Sequence, residues 1–163
     1  MTQTAETAVR CEIVVEAPVE RAFQAFTHEM SEWWEPTHHI LEGDLAEMVV
    51  EPRVGGHIYD RGTDGSECRW ATVIAYDPPH RFAFSWNISL DWKLEPDAEK
   101  RSEVEISFIE DGPDRTRVQL EHKHLERHGD GWEGMSTAVD SGWPKGLERF
   151  AGYISGSAAG TAS

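Results

Sequence analysis

The stretch "VRCEIVVEAP" sets Val9, Cys11, Ile13 and Val15 against Arg10, Glu12 and Glu16, the period-two alternation of a half-buried strand. The period then changes. Along "VERAFQAFTHEMSEWW", Val19, Ala22, Phe23, Phe26, Met30, Trp33 and Trp34 recur three and four apart, which predicts one amphipathic helix opened by Pro18 and stopped by Pro36. Six strand-like runs follow: "LAEMVVEP", "HIYDRG", "ECRWATVIAY", "RFAFSWNI", "SEVEISFIE" and "RVQLEHKHL". Turn chemistry separates several of them, namely the paired glycines of "RVGG", the Asp-Gly of "TDGS", the two prolines of "DPPH" and the "GPDRT" segment. Near the end, "DGWEGMSTAV" predicts a short helix broken at "DSG". Pro144 then opens a second helix with Trp143, Leu147, Phe150 and Ile154 on one face.

Strand, helix, six strands and helix make an α+β domain, an antiparallel sheet with one apolar face covered by helices. The expected organisation is a disordered N-terminal tail at 1–8, one folded domain at 9–155 and a disordered C-terminal tail at 156–163. No repeat or Gly/Ser linker divides the middle. The edges of such a sheet leave pairing with a second copy open.

Composition narrows the function classes. The 163 residues carry 30 acidic and 15 basic side chains, a formal charge of −15. Such a surface repels nucleic-acid phosphates and anionic membranes, so neither is an expected partner. No apolar run approaches the roughly 20 residues of a membrane-spanning helix, and no signal pattern opens the chain, which points to a soluble, cytoplasmic protein. Cys11 and Cys68 sit inside strand runs and read as small buried side chains in a reducing compartment.

Six stretches, in order, resemble the family of heat-shock-chaperone ATPase activator homologues: "APVERAFQAFT", "WWEPTHHI", "RVGGHIYDRGTDGSE", "VIAYDPPHRFAFSW", "TRVQLEHKHLERHG" and "GWPKGLERFAGYI". The resemblance implies the START-like (SRPBCC) helix-grip fold, a curved antiparallel sheet wrapped on a long C-terminal helix with a cavity between them. It implies a hydrophobic small molecule as partner. It also implies two alternatives: a cyclase or dehydratase acting in the same cavity, and, through the family's name and its link to stress response, a module modulating a chaperone ATPase.

Seven tryptophans are well above ordinary usage, and a Trp supplies flat apolar area with one N–H, which suits a cavity with few polar groups. Trp33 and Trp34 end the first helix, Trp143 begins the covering helix, and Trp86 shares a strand face with Phe82 and Phe84. Together with Tyr59 and His122 they are the candidate ligand-binding residues. His122 matches a histidine common in the family's last-strand motif. His122 and His124 are expected to share a face with Val118 and Leu120. With His128 they form H-x-H-x3-H, but no carboxylate or cysteine stands at a zinc spacing, and the preferred reading is a neutral imidazole at the cavity wall rather than a metal ligand. His38 and His39 read as a loop near the mouth. No nucleophile elbow, zinc-protease motif or P-loop occurs, so neither a cofactor nor a metal is expected. The only acid–base pair the sequence offers is Tyr59 with His122.

Overall fold

The structure, a computed structural model, describes residues 8–34 and 43–162, with side chains as far as residue 155. Pro36, His38 and His39, and the proposed tail up to residue 7, lie outside the described residues.

Seven strands form one antiparallel sheet: β1 (Val9–Val15), β2 (Leu45–Val50), β3 (His57–Gly62), β4 (Glu67–Asp77), β5 (Arg81–Trp86), β6 (Ser102–Glu110) and β7 (Thr116–Lys123). Their spatial order is β1-β7-β6-β5-β4-β3-β2. The six consecutive strands therefore form a meander, and β1 closes its far edge by pairing Val9 with His122 and Val15 with Thr116. Register shifts between Leu45 and Glu47, Ile58 and Tyr59, and Val73 and Ala75 insert bulges on the β2–β4 side. Each bulge bends its strand and raises the local twist, which curls the sheet into a half-barrel. The β2–β3 connection turns through Gly55 at φ +90°, and a Cβ on Gly56 would stand 2.8 Å from the Glu51 Cβ. Both glycines of "RVGG" are thus required, one for its conformation and one for the close backbone approach.

The predicted first helix is two helices, α1 (Val19–Thr27) and α2 (Met30–Trp33). Thr27 Oγ1 donates to the Phe23 carbonyl at 2.8 Å, and Glu29 leaves the helical region at φ −114°, ψ 23°. Such back-bonding bends a helix, and the Glu29 carboxylate is held by Arg21 and by the Tyr153 hydroxyl. The apolar face survives the break, since Phe26, Met30 and Trp33 are all buried.

The break predicted at "DSG" does not occur. A single helix, α3 (Trp132–Ala162), runs through Pro144 and extends into the segment read as a tail. Proline removes the bond to the carbonyl four residues earlier, that of Asp140. Both Pro144 and Asp140 are exposed, so water can satisfy that carbonyl. The buried stripe Met135, Val139, Trp143, Leu147, Phe150 and Ile154 continues unbroken on the other side. α3 packs on β1, α1 and α2 and closes the concave face. This is the helix-grip fold.

A second correction concerns β7. The strand ends at Lys123, and His124 adopts φ +63°, a left-handed conformation that starts a short 3-10 turn at Leu125–His128. His124 does not continue the strand face, and the turn brings His128 inward instead.

Candidate functional site

The space between sheet and α3 divides into two aromatic halves. Phe23, Phe26, Phe82, Phe108 and Phe150 fill one, mostly edge to face with centroids 5.2–6.5 Å apart. The other half is built of tryptophan. Trp34 lies 5.5 Å from Trp70, Trp70 5.6 Å from Trp86, Trp86 5.8 Å from Trp143, and Trp143 5.7 Å from Trp34. The four indoles close a box, with Trp34 opposite Trp86. Four elements supply it: Trp34 directly follows α2, the neighbouring strands β4 and β5 supply Trp70 and Trp86, and α3 supplies Trp143. Trp33 packs behind Trp34, against Phe26 and Phe150.

The hydrogen-bonding state of the indoles differs. Trp33 Nε1 donates to the Ala25 carbonyl at 3.0 Å, and Trp70 Nε1 to Asp60 Oδ1 at 3.1 Å. Trp143 Nε1 donates to His122 Nδ1 at 3.1 Å. Trp86 Nε1 is buried and meets no acceptor among the described residues. A buried donor left unmade costs about 1–3 kcal/mol, so its persistence requires an account.

His122 is fully buried, 5.0 Å from the Trp86 ring. Because an indole can only donate, His122 Nδ1 must accept, and the imidazole proton sits on Nε2. Nε2 donates to Ser102 Oγ at 2.7 Å, and Ser102 Oγ in turn reaches His128 Nε2 at 2.7 Å. A buried chain Trp143–His122–Ser102–His128 results. Burial, reinforced by the neighbouring His128, pulls the His122 pKa from 6.5 down to about 3. Burial also lowers that of His128, against an opposing pull from Glu95. At neutral pH His122 is uncharged with both nitrogens engaged, which suits a wall residue and not a general base. Among the described residues no cluster of three or more His, Cys, Asp or Glu could hold a metal ion.

Tyr59 stands apart from the box. It lies on the other side of β3 from Ile58 and Asp60, with the Arg61 and Arg69 guanidiniums 5.5 and 5.0 Å from its ring centre. Arg61 Nη2 donates to its hydroxyl at 3.0 Å. The structure therefore does not bring Tyr59 and His122 together as an acid–base pair. Of the six candidates it gathers Trp33, Trp34, Trp86, His122 and Trp143, and it adds Trp70, Asp60 and Ser102. Asp60 is fully buried facing inward, a carboxylate beside Cys68 beneath the box. Burial, then the Asp60 charge, pushes the Cys68 thiol up to about 11, and burial does the same to Cys11, so neither thiol is poised as a nucleophile.

A cleft of about 160 Å³ opens at the edge of the core between α2, β2 and α3. Trp34, Ser31, Leu45, Met48 and Arg149 line it. Arg149 Nε donates to the Trp33 carbonyl at 3.0 Å, tying α3 to the end of α2 beside the opening.

The chain has clear relatives. The Activator of Hsp90 ATPase homolog 1-like protein family matches residues 16–155. The chain belongs to this family. A solved structure of an anthrahydroquino-γ-pyrone synthase, Txn09, is 40% identical, covering 89% of this chain and 95% of that one with a TM-score of 0.65. A self-sacrificing resistance protein, CalC from Micromonospora echinospora, is 26% identical over 91% of this chain and 94% of its own, with a TM-score of 0.66. Protein MLL2253 from Mesorhizobium loti, 19% identical over 91% and 96% with a TM-score of 0.62, shares the fold. A search of curated proteins finds no match. No helix of the described residues of this activator-homologue chain is long and apolar enough to cross a membrane.

Proposed function

We propose that this activator-homologue domain binds a flat, polycyclic aromatic small molecule of polyketide type in the tryptophan box. The observation that carries the reading is the closed ring of Trp34, Trp70, Trp86 and Trp143, whose faces and edges match a planar ring system better than an aliphatic chain. The 40% identity to a protein named for making an anthrahydroquino-γ-pyrone supports the same ligand class. Apolar burial supplies the affinity, at about 25 cal/mol per Å² before ordering costs. Titrating the protein with 1,8-dihydroxyanthraquinone while following tryptophan emission tests it. Saturable quenching at one equivalent is expected, and quenching that never saturates would remove the reading.

That synthase relative favours a second reading, ring closure in the same box. An o-hydroxyaryl 1,3-diketone closes to a γ-pyrone when the phenol oxygen attacks the distal carbonyl carbon and one water leaves. With 1-(2-hydroxyphenyl)butane-1,3-dione as probe, the product is 2-methylchromone, followed by its ultraviolet absorbance. A rate no higher than in buffer, with binding intact, leaves the domain as a carrier.

A further inference from the structure

The box has a floor and a door. Trp86, opposite Trp34, is the floor: it is 6% exposed, touches Trp70, Trp143 and His122, and its N–H meets no acceptor among the described residues. The other two inner walls have committed their N–H groups, Trp70 to Asp60 and Trp143 to His122. Trp34 differs from all three. It is only half-buried, it stands one residue past the end of α2 in an extended conformation at ψ 140°, and it borders the cleft. Its indole fills the slot between Trp70 and Trp143. The cleft, about 160 Å³, is smaller than the roughly 300 Å³ of the smallest ordinary ligand pockets, and the slot that the Trp34 indole fills adjoins it.

We infer that a ligand's flat ring takes the place of the Trp34 indole between Trp70 and Trp143, and that Trp86 Nε1–H donates to a carbonyl oxygen carried by that ring. This rests on the aromatic-ligand reading above and adds the ligand's required acceptor and the residue that reads it. The specificity follows from burial: a guest with a carbonyl satisfies a donor that is otherwise stranded, and a guest without one does not. The chain Trp143–His122–Ser102–His128 contributes by holding the Trp143 wall and engaging its N–H, which leaves Trp86 Nε1–H as the uncommitted donor among the three inner walls.

Xanthone and xanthene test it, since they share a tricyclic outline and differ by a carbonyl in place of a methylene. Binding is read by quenching of tryptophan emission, and by the indole N–H resonances of ¹⁵N-tryptophan-labelled protein, with Trp86→Phe assigning its own signal. Xanthone is expected to bind about 3- to 10-fold more tightly than xanthene, the worth of one ordinary hydrogen bond. The Trp86 N–H resonance should move downfield with xanthone alone, while that of Trp34 shifts with both. Trp86→Phe should bring xanthone down to the level of xanthene. Equal affinities, or a Trp86 resonance unmoved in the xanthone complex, overturn the donor role and leave aromatic binding standing. Failure of both compounds to bind overturns the aromatic reading and this inference with it. The resonance measurement uses the unaltered protein, so it decides even if Trp86→Phe folds poorly.

Discussion

Trp143 and His122 are joined by a single hydrogen bond from an indole N–H to Nδ1, and that bond dictates the protonation state of the imidazole. Protonating Nδ1 would face donor with donor inside a dry cluster, in keeping with a pKa near 3. The linkage sign follows. Unfolded His122 takes up a proton below about 6.5 and folded His122 does not, so the folded state is favoured fully above 6.5 and loses that advantage as pH falls toward 3. The loss is about 1.4 kcal/mol per pH unit, or about 2 kcal/mol by pH 5. His128, also lowered and faced by Glu95, adds a slope of the same sign. Glu29, Glu51 and Glu105 are held below their ordinary 4.5 and act only at lower pH. Urea unfolding between pH 5 and 7 should therefore show stability rising with pH. In His122→Asn, whose amide oxygen can still accept from Trp143, the slope should fall by about one proton. An unchanged slope would mean that His122 titrates alike in both states.

Ser102 is the hinge of the polar chain, touching His122 and His128 at once. Ser102→Ala strands the His122 Nε2–H and the His128 Nε2, each at a cost of about 1–3 kcal/mol. A loss of about 2–4 kcal/mol in urea unfolding is expected, large for removal of one oxygen. A loss below about 1 kcal/mol would mean the two imidazoles find each other, or water, without it.

Trp33 and Trp34 are adjacent in sequence but differ in role. Trp33 is 2% exposed, locked to Ala25 and packed on Phe26 and Phe150. Trp33→Ala should cost about 3–5 kcal/mol, the usual price of emptying such a site. Trp34→Ala should cost less, about 2 kcal/mol, because Trp34 is only partly buried. If the Trp34 indole occupies the ligand's place, the same change removes a competing state and raises affinity for xanthone severalfold. A fall in affinity would make Trp34 a wall the ligand packs against. Fluorescence titration of the two variants separates these outcomes.

Much of this architecture is legible in the chain, and what is not has physical causes. Period-two alternation located β1 and the six strands of the meander, and the Trp143, Leu147, Phe150, Ile154 spacing found the buried stripe of α3. Alternation cannot say which face turns inward, and on β3 the intuitive choice is the wrong one. The acidic Asp60 points in, because Trp70 across the bulged β3–β4 pair offers it an N–H, while aromatic Tyr59 points out beneath Arg61 and Arg69. The Ser102 chain has no local signal at all. Ser102 reaches His122 diagonally, since the direct partner of His122 on β6 is Val104, and His128 arrives through a left-handed residue that the strand pattern of "EHKHL" conceals.

Pro144 offers a test of how firmly α3 is held by its buried face. A proline inside a helix costs about 3 kcal/mol relative to alanine, through the lost bond and the clash with the preceding turn. Here the ring is exposed and Trp143, the residue before it, is clamped by Trp86, Trp34 and His122. Tertiary packing therefore overrides the local preference that predicted a break. Pro144→Ala restores the N–H that can reach the Asp140 carbonyl and touches nothing in the box. It should stabilise the protein by about 1–3 kcal/mol, which for a domain of this size raises Tm by several degrees. Xanthone affinity should stay within twofold. A drop in stability, or a change in affinity, would show that the proline bends α3 into the position that seats Trp143 against His122.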